Sequence, residues 1–349
     1  MRDAMSLVRA LRDPSSVASL NGAGWTQLIS IARAESLMGS LAHRLRDIDV
    51  PDQVKPILQD AIEAHDLARK QALWEADCAR RALADLDCKV VLMKGTAYVA
   101  ANLQAGIGRS IGDLDIMVAR DKLQEVEEAL LDAGWEWVKP DPYDDQYYRE
   151  HMHELPPLIH RERDRMIDVH HTILPLTAKP KPDAANMMDC AVGLDTGLDV
   201  LDPGDMIVHS AAHLMADGDL AGGLRNLWDI DQLVRQFTNE YPDFLLHIAE
   251  QAWLHELSKP VNGALRLANQ LYGTPLIEYK SPMRVRYNRR FRDRFFVRRL
   301  LARDGYGRET RKFTRFAFYV RSHWLRMPPL MLARHLWTKW RKGVAAHSK

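Results

Sequence analysis

In the stretch WTQLISIARAESLMGSLAHRL, apolar residues recur at three- and four-residue spacing, the period of one helix face. The pattern breaks between Asp47 and Pro51. Val54 to Leu86 is rich in Ala, Leu, Glu, Arg and Gln and has no Gly or Pro after Pro56, which predicts one long helix or two shorter ones. Residues 1–86 therefore read as an N-terminal helical region. At Cys88 the texture changes. CKVVLM is short and β-branched, as a strand is. Lys94-Gly95-Thr96 reads as a turn, AYVAANLQA as a short helix, GIGRSIG as a loop and LDIMV as a buried strand. DKLQEVEEALLDAGW predicts a helix with Asp121 as N-cap and Gly134 near its end. ELPPLIHRERDRMIDVHHTIL predicts two strands joined by the charged turn HRERDR.

Strand, helix, strand, helix and further strands describe a small α/β sheet domain over residues 87–178. Past Lys179-Pro180-Lys181-Pro182-Asp183 the chain becomes helical again, to about residue 275. PGDMIVHSAAHLMAD and LRNLWDIDQLVRQF both read as amphipathic there. Residues 276–349 form a basic, aromatic-rich helical tail.

Composition narrows the setting. A chain of 349 residues has room for two or three domains, and 46% apolar with 27% charged residues is usual for a folded soluble protein. Cys78, Cys88 and Cys190 are too scattered for a zinc ribbon or a disulfide framework, so a reducing, cytoplasmic compartment is expected, with no disulfide partner. The N-terminus MRDAMSLVRALRDPSS carries charges through its apolar stretch and reads as neither a signal peptide nor a membrane span. The net charge of +1 conceals an asymmetry: residues 283–349 hold 20 Lys+Arg against 3 Asp+Glu, leaving 28 basic and 44 acidic residues elsewhere. In that tail Arg alternates with Phe, Tyr and Trp, and no run of eighteen uncharged residues occurs. Three anionic partners suit such a segment: the inner membrane face, nucleic acid, or the acidic body of the chain itself.

The candidate chemistry lies at Asp113-Leu114-Asp115. Carboxylates two positions apart on a strand point to the same face and repel each other. A divalent cation between them is the simplest remedy. A third carboxylate, Asp168, lies on the later predicted strand in RMIDVHHTIL.

An apolar strand, a Gly-hydroxyl turn, a helix, Asp-x-Asp and a third acid together resemble the nucleotidyltransferase superfamily built on the DNA polymerase β palm. More closely, KGT…GRSIGDLDIMV…IDVHHTIL…HLMADGDLAGGLRNLWDIDQL is similar to a bacterial family of uncharacterised nucleotidyltransferases with Lys-Gly, Arg-x-x-x-Asp-x-Asp and Asp-x-His motifs. The likeness covers roughly residues 20–275. It departs from the superfamily in Thr96, where Ser is usual, and in the sixteen residues between Thr96 and Asp113. It implies an α+β fold, a minimal palm with a mixed sheet flanked by helical regions. It also implies a Mg²⁺-dependent enzyme that moves NMP from an NTP such as ATP to an acceptor hydroxyl.

Two Mg²⁺ ions, with Mn²⁺ a substitute, would then be held by Asp113, Asp115 and Asp168. Lys94, Gly95, Thr96 and Arg109 would meet the phosphates. Other readings stand beside these: Lys94 as a solvated strand end, and Arg109 as a structural partner of Asp113 or Asp115. His170 shares the face of Asp168 and either touches substrate, orients the acid or is a polar core residue. His209 and His213 sit four apart, a spacing that can bind zinc, but no third ligand is recognisable nearby. Both, with Arg225 and Asp229, are candidates to line the cleft, while Arg225–Asp229 equally suits a structural helix pair. Two other functions share these motifs: a toxin–antitoxin-type transferase acting on protein or tRNA, and a non-catalytic binding protein working through its basic tail.

Overall fold

A computed structural model describes residues 3–138, 142–217, 219–276 and 292–326. The chain opens with four helices: α1 (Met5–Arg12), α2 (Gly22–Ala34), α3 (Met38–Arg44) and α4 (Lys55–Ala82). Asn21 caps α2, its side-chain oxygen accepting the Gly24 N–H at 2.9 Å. Of the two options for Val54–Leu86, the single long helix is realised. Pro56 sits in its first turn, where a missing N–H costs nothing.

Among the described residues, seven strands form one mixed sheet: β1 (Val91–Leu92), β2 (Asp113–Met117), β3 (Trp135–Trp137), β4 (Leu158–His160), β5 (Met166–His170), β6 (Val192–Gly193) and β7 (Asp199–Val200). Their order is β3-β4-β5-β2-β1-β7-β6. β2 runs parallel to β5 and antiparallel to β1, and β1 runs parallel to β7. The architecture is α+β with a mixed palm-like sheet, and HRERDR turns β4 into antiparallel β5.

Four local readings change. The Lys94-Gly95-Thr96 segment is the first turn of α5 (Lys94–Ala100) rather than a turn ahead of it. Lys94 enters that helix at φ +48°, a left-handed conformation uncommon for a residue with a side chain. Asp121 is not an N-cap. A 3₁₀ turn, Arg120–Lys122, leads into α6 (Leu123–Asp132), and the Lys122 side chain at the cap position makes no capping bond to the helix backbone. The third change is β3, which continues the chain after Gly134 (φ +103°) and pairs with β4. Finally, the region after Lys179 is not wholly helical: β6 and β7 extend the sheet on the β1 side.

The remaining helices are α7 (Pro142–His151), α8 (Ala184–Asp189), α9 (Pro203–Ala212), α10 (Gly223–Glu240), α11 (Phe244–Leu254) and α12 (Ser258–Tyr272). α9 is buried at every position from Gly204 to Ala212 rather than amphipathic, because α10, α11 and α12 all pack against it. It continues as a single π-helical turn over 213–217.

Part of the tail packs onto the body as α13 (Asp293–Leu300) and α14 (Lys312–Arg326). Arg303 reaches Glu35 at 2.6 Å, Arg311 reaches Asp3 at 3.2 Å, and Arg266 holds Asp293 at 3.0 Å. Some tail charge is thus spent on acids of the body. The rest of the segment, residues 277–291 and 327–349, lies outside the described residues. Among the described residues no helix is long and apolar enough to cross a membrane.

Candidate active site

The parallel register of β2 and β5 sets Asp115 directly beside Asp168 and Met117 beside His170. Alternation then places Asp113, Asp115, Asp168 and His170 on one face. One oxygen from each of the three aspartates lies within 4.8 Å of the others. Asp115 is buried, Asp168 half-buried and Asp113 open to solvent at the strand start.

The electrostatics follow from this crowding. Burial would raise the Asp115 carboxyl, but Lys94 and His170 hold it well below the ordinary carboxylate range. Lys94 Nζ donates to Asp115 Oδ1 at 2.5 Å, and His170 Nε2 lies 3.0 Å from the same oxygen. Lys94 is therefore engaged with an acid and is not a solvated strand end. Asp168 has no such cation: burial, then the charges of Glu154 and Asp115, push it up to about 7. Although solvent reaches Asp113, the protein packed around its carboxyl and the charge of Asp115 push it up as well. Three hard oxygen donors with more negative charge than the protein offsets are a donor set that suits Mg²⁺.

A second network stands behind the acids. Arg109 pairs with neither Asp113 nor Asp115. Its Nη1 meets Asp229 Oδ2 at 3.1 Å. Asp229, on α10, also accepts from Arg225 Nε at 2.9 Å and Nη2 at 2.6 Å, so one buried carboxylate serves two guanidiniums. Arg225 in turn donates to Ser40 Oγ at 2.8 Å, and Ser40 bonds the Ile107 carbonyl at 3.2 Å. His65 of α4 closes the loop, taking the Gly108 N–H at 3.0 Å while its other ring nitrogen meets the Arg109 carbonyl at 3.2 Å.

Gly95 links the two networks. A Cβ there would sit 2.7 Å from Arg109 Nε, so Arg109 takes the close approach that sequence reasoning reserved for a phosphate. Thr96 is buried and its hydroxyl has no hydrogen-bond partner among the described residues. It lines a small cavity of about 20 Å³ with Asp113, Gly112 and residues of α4. A roomier cavity of about 700 Å³ lies elsewhere, between β7 and α11, and includes none of these residues.

His209 is buried. Burial first, then the charges of Lys94 and His170, hold it neutral and well below its ordinary value. His213 follows at the start of the π turn, 3.4 Å from Asn226 Nδ2. Two residues escaped sequence reasoning, His153 and Glu154. They come from HMHELP, which pairs antiparallel with the end of β5: Glu154 bridges His170, and His171 N–H donates to the His153 carbonyl at 2.9 Å. His-x-His-Glu ahead of an apolar run was the signal available. Ser40 and His65 also escaped it, and nothing local marks either one.

A palm-like mixed sheet thus carries three acids on one face of a parallel strand pair. The chain belongs to a family of uncharacterised nucleotidyltransferases, whose family model matches residues 21–273. No match was found among curated proteins.

Proposed function

We propose that the protein is a Mg²⁺-dependent nucleotidyltransferase that moves NMP from an NTP to an acceptor hydroxyl. The observation that carries this reading is the meeting of Asp113, Asp115 and Asp168 on one sheet face within 4.8 Å. Those residues would hold the cations, with Mn²⁺ able to replace Mg²⁺. When bound, such cations supply the charge that offsets negative charge growing on the phosphate and on the attacking and leaving oxygens. Lys94, already at the acids, neutralises one of them and faces the same cluster as the triphosphate would. Arg109 adds fixed positive charge, oriented by Asp229 and seated against Gly95, while the Thr96 hydroxyl is an unused donor at the edge of the acid cluster. His170 positions Asp115 through its Nε2–H.

Labelled NTPs, Mg²⁺ and candidate acceptors, the protein itself included, provide the test. Wild type is expected to transfer label, and the double variant Asp113→Ala/Asp115→Ala to lose it. Equal transfer by both would remove the assignment.

A second reading concerns the tail. Phe313 is 93% exposed and Phe316, Tyr319 and Trp324 are also largely exposed along α14, among Lys312 and Arg315. Apolar rings beside cations suit an anionic bilayer surface, so we infer that this face meets the inner membrane leaflet. Phe313→Ser/Phe316→Ser/Trp324→Ser should remain in the supernatant where wild type sediments with anionic liposomes. Equal sedimentation would dismiss the membrane reading, and sedimentation of neither would do the same.

A further inference from the structure

His170 has two ring nitrogens with different surroundings. Nε2 lies 3.0 Å from Asp115 Oδ1, and Asp115 is an ionised carboxylate that can only accept. Nε2 therefore carries the proton. The other ring nitrogen, Nδ1, is buried and has no hydrogen-bond partner among the described residues. It points instead at Glu154 Oε2, 3.4 Å away. His170 is 1% exposed, so bulk water does not reach the contact between Nδ1 and the Glu154 carboxylate.

His153 completes the arrangement, its Nε2 lying 3.6 Å from the same Glu154 oxygen. One ligand atom from each of the three residues lies within 4.8 Å of the other two. In a tetrahedral zinc site, bonds of about 2.0–2.2 Å put neighbouring ligand atoms about 3.4 Å apart. Two edges of the His153–Glu154–His170 triangle already have nearly that length. The outer contact fits too: a metal-binding histidine characteristically donates its second N–H to a carboxylate, as His170 does to Asp115. Backbone pairing makes the triangle, since Glu154 bridges His170 across the edge of β5.

We propose that His153, Glu154 and His170 form a second cation site, separate from the three aspartates and selective for a borderline divalent ion of the Zn²⁺ class. Two imidazoles and one carboxylate favour such an ion over Mg²⁺, which prefers all-oxygen surroundings. The site does not depend on the nucleotidyl-transfer reading. It would tie the 151–155 segment to β5 and, through His170, fix the orientation of Asp115.

Co²⁺ is the probe, because its visible absorption reports nitrogen ligation and a low-symmetry site. The chelator-treated full chain is expected to take up one Co²⁺ with visible bands. Excess Mg²⁺ should leave those bands in place, and one equivalent of Zn²⁺ should remove them. His153→Ala and Glu154→Gln should each weaken Co²⁺ binding by more than about 100-fold, given that loss of an outer-shell partner alone costs about 10–100-fold. Asp168→Asn should bind as wild type does. Circular dichroism checks that the variants are folded, and Glu154→Gln carries the test alone if His153→Ala does not fold. Absence of Co²⁺ bands in wild type overturns the proposal and leaves His170 as a proton-bearing link between two acids. Bands lost only in Asp168→Asn, or displaced by Mg²⁺, overturn it by placing the ion among the aspartates.

Discussion

Replacing Asp229 by Ala tests the network behind the acids. Its carboxylate is 2% exposed and lies between Arg225 and Arg109, accepting at 2.6 and 2.9 Å from the first and 3.1 Å from the second. The Arg225 guanidinium cannot follow the lost charge into water: the residue is 5% exposed, and its Nη1 is bound to Ser40. Removing one partner of a buried pair costs about 3–5 kcal/mol, because the remaining charge is left uncompensated. At about 2–4 °C per kcal/mol, the figure for chains of about 150–250 residues, the melting temperature should fall by about 10 °C. Calorimetry or thermal circular dichroism reads this directly. Gly95→Ala adds a cross-check, since its Cβ would push Arg109 Nε from 2.7 Å and loosen the same contact. The double variant should therefore lose less than the sum of the two singles. A fall of under about 2 °C for Asp229→Ala would mean that the two arginines find other partners, and full additivity would mean that Gly95 and Asp229 do not communicate through Arg109.

Lys94→Met leaves Asp115 without its cation at 2.5 Å, so the variant should melt lower than wild type in chelator and be raised more by Mg²⁺. Equal Mg²⁺-induced shifts would show that Lys94 and a divalent ion do not compete for Asp115. On α11, the hydrogen bond from His247 to Asp202, at 2.6 Å, raises the histidine above its ordinary 6.5. A raised histidine contributes stability that is complete below pH 6.5 and is lost as pH climbs through the higher folded value. The melting-temperature gap between wild type and His247→Gln should accordingly be widest near pH 5.5–6 and narrow above neutrality, and a gap independent of pH would sink the linkage.

Local periodicity made much of this molecule legible. The three- and four-residue spacing marks α2 and α3, and alternation puts Asp113 with Asp115, and Asp168 with His170, on shared faces. Each of those inferences needs only a few neighbouring residues. What could not be read depends on residues far apart. Arg109 pairs with Asp229, 120 positions later, and the sequence offers nearer acids at Asp113 and Asp115 that look equally suitable. α9 has polar residues at Asp205, His209 and Ser210, which read as an outer face until three other helices cover it. Asp205 is tolerated there because His255 meets it at 3.0 Å. Buried polar groups need partners, and those partners are chosen by the packed fold rather than by the local pattern.

The same distinction explains why the acids were found and the histidine cluster was not. Asp113 and Asp115 are conspicuous because like charges in an apolar strand are costly without an outside cation, and that cost is visible within three residues. His153 and Glu154 carry no such local penalty. Their chemistry arises only when an antiparallel bridge sets Glu154 against His170, whose other nitrogen is already committed to Asp115. One imidazole thus joins two groups of charge, and its unpartnered nitrogen is a consequence of the bond that serves the acids. Any change that frees His170 from Asp115 should be felt by both groups at once.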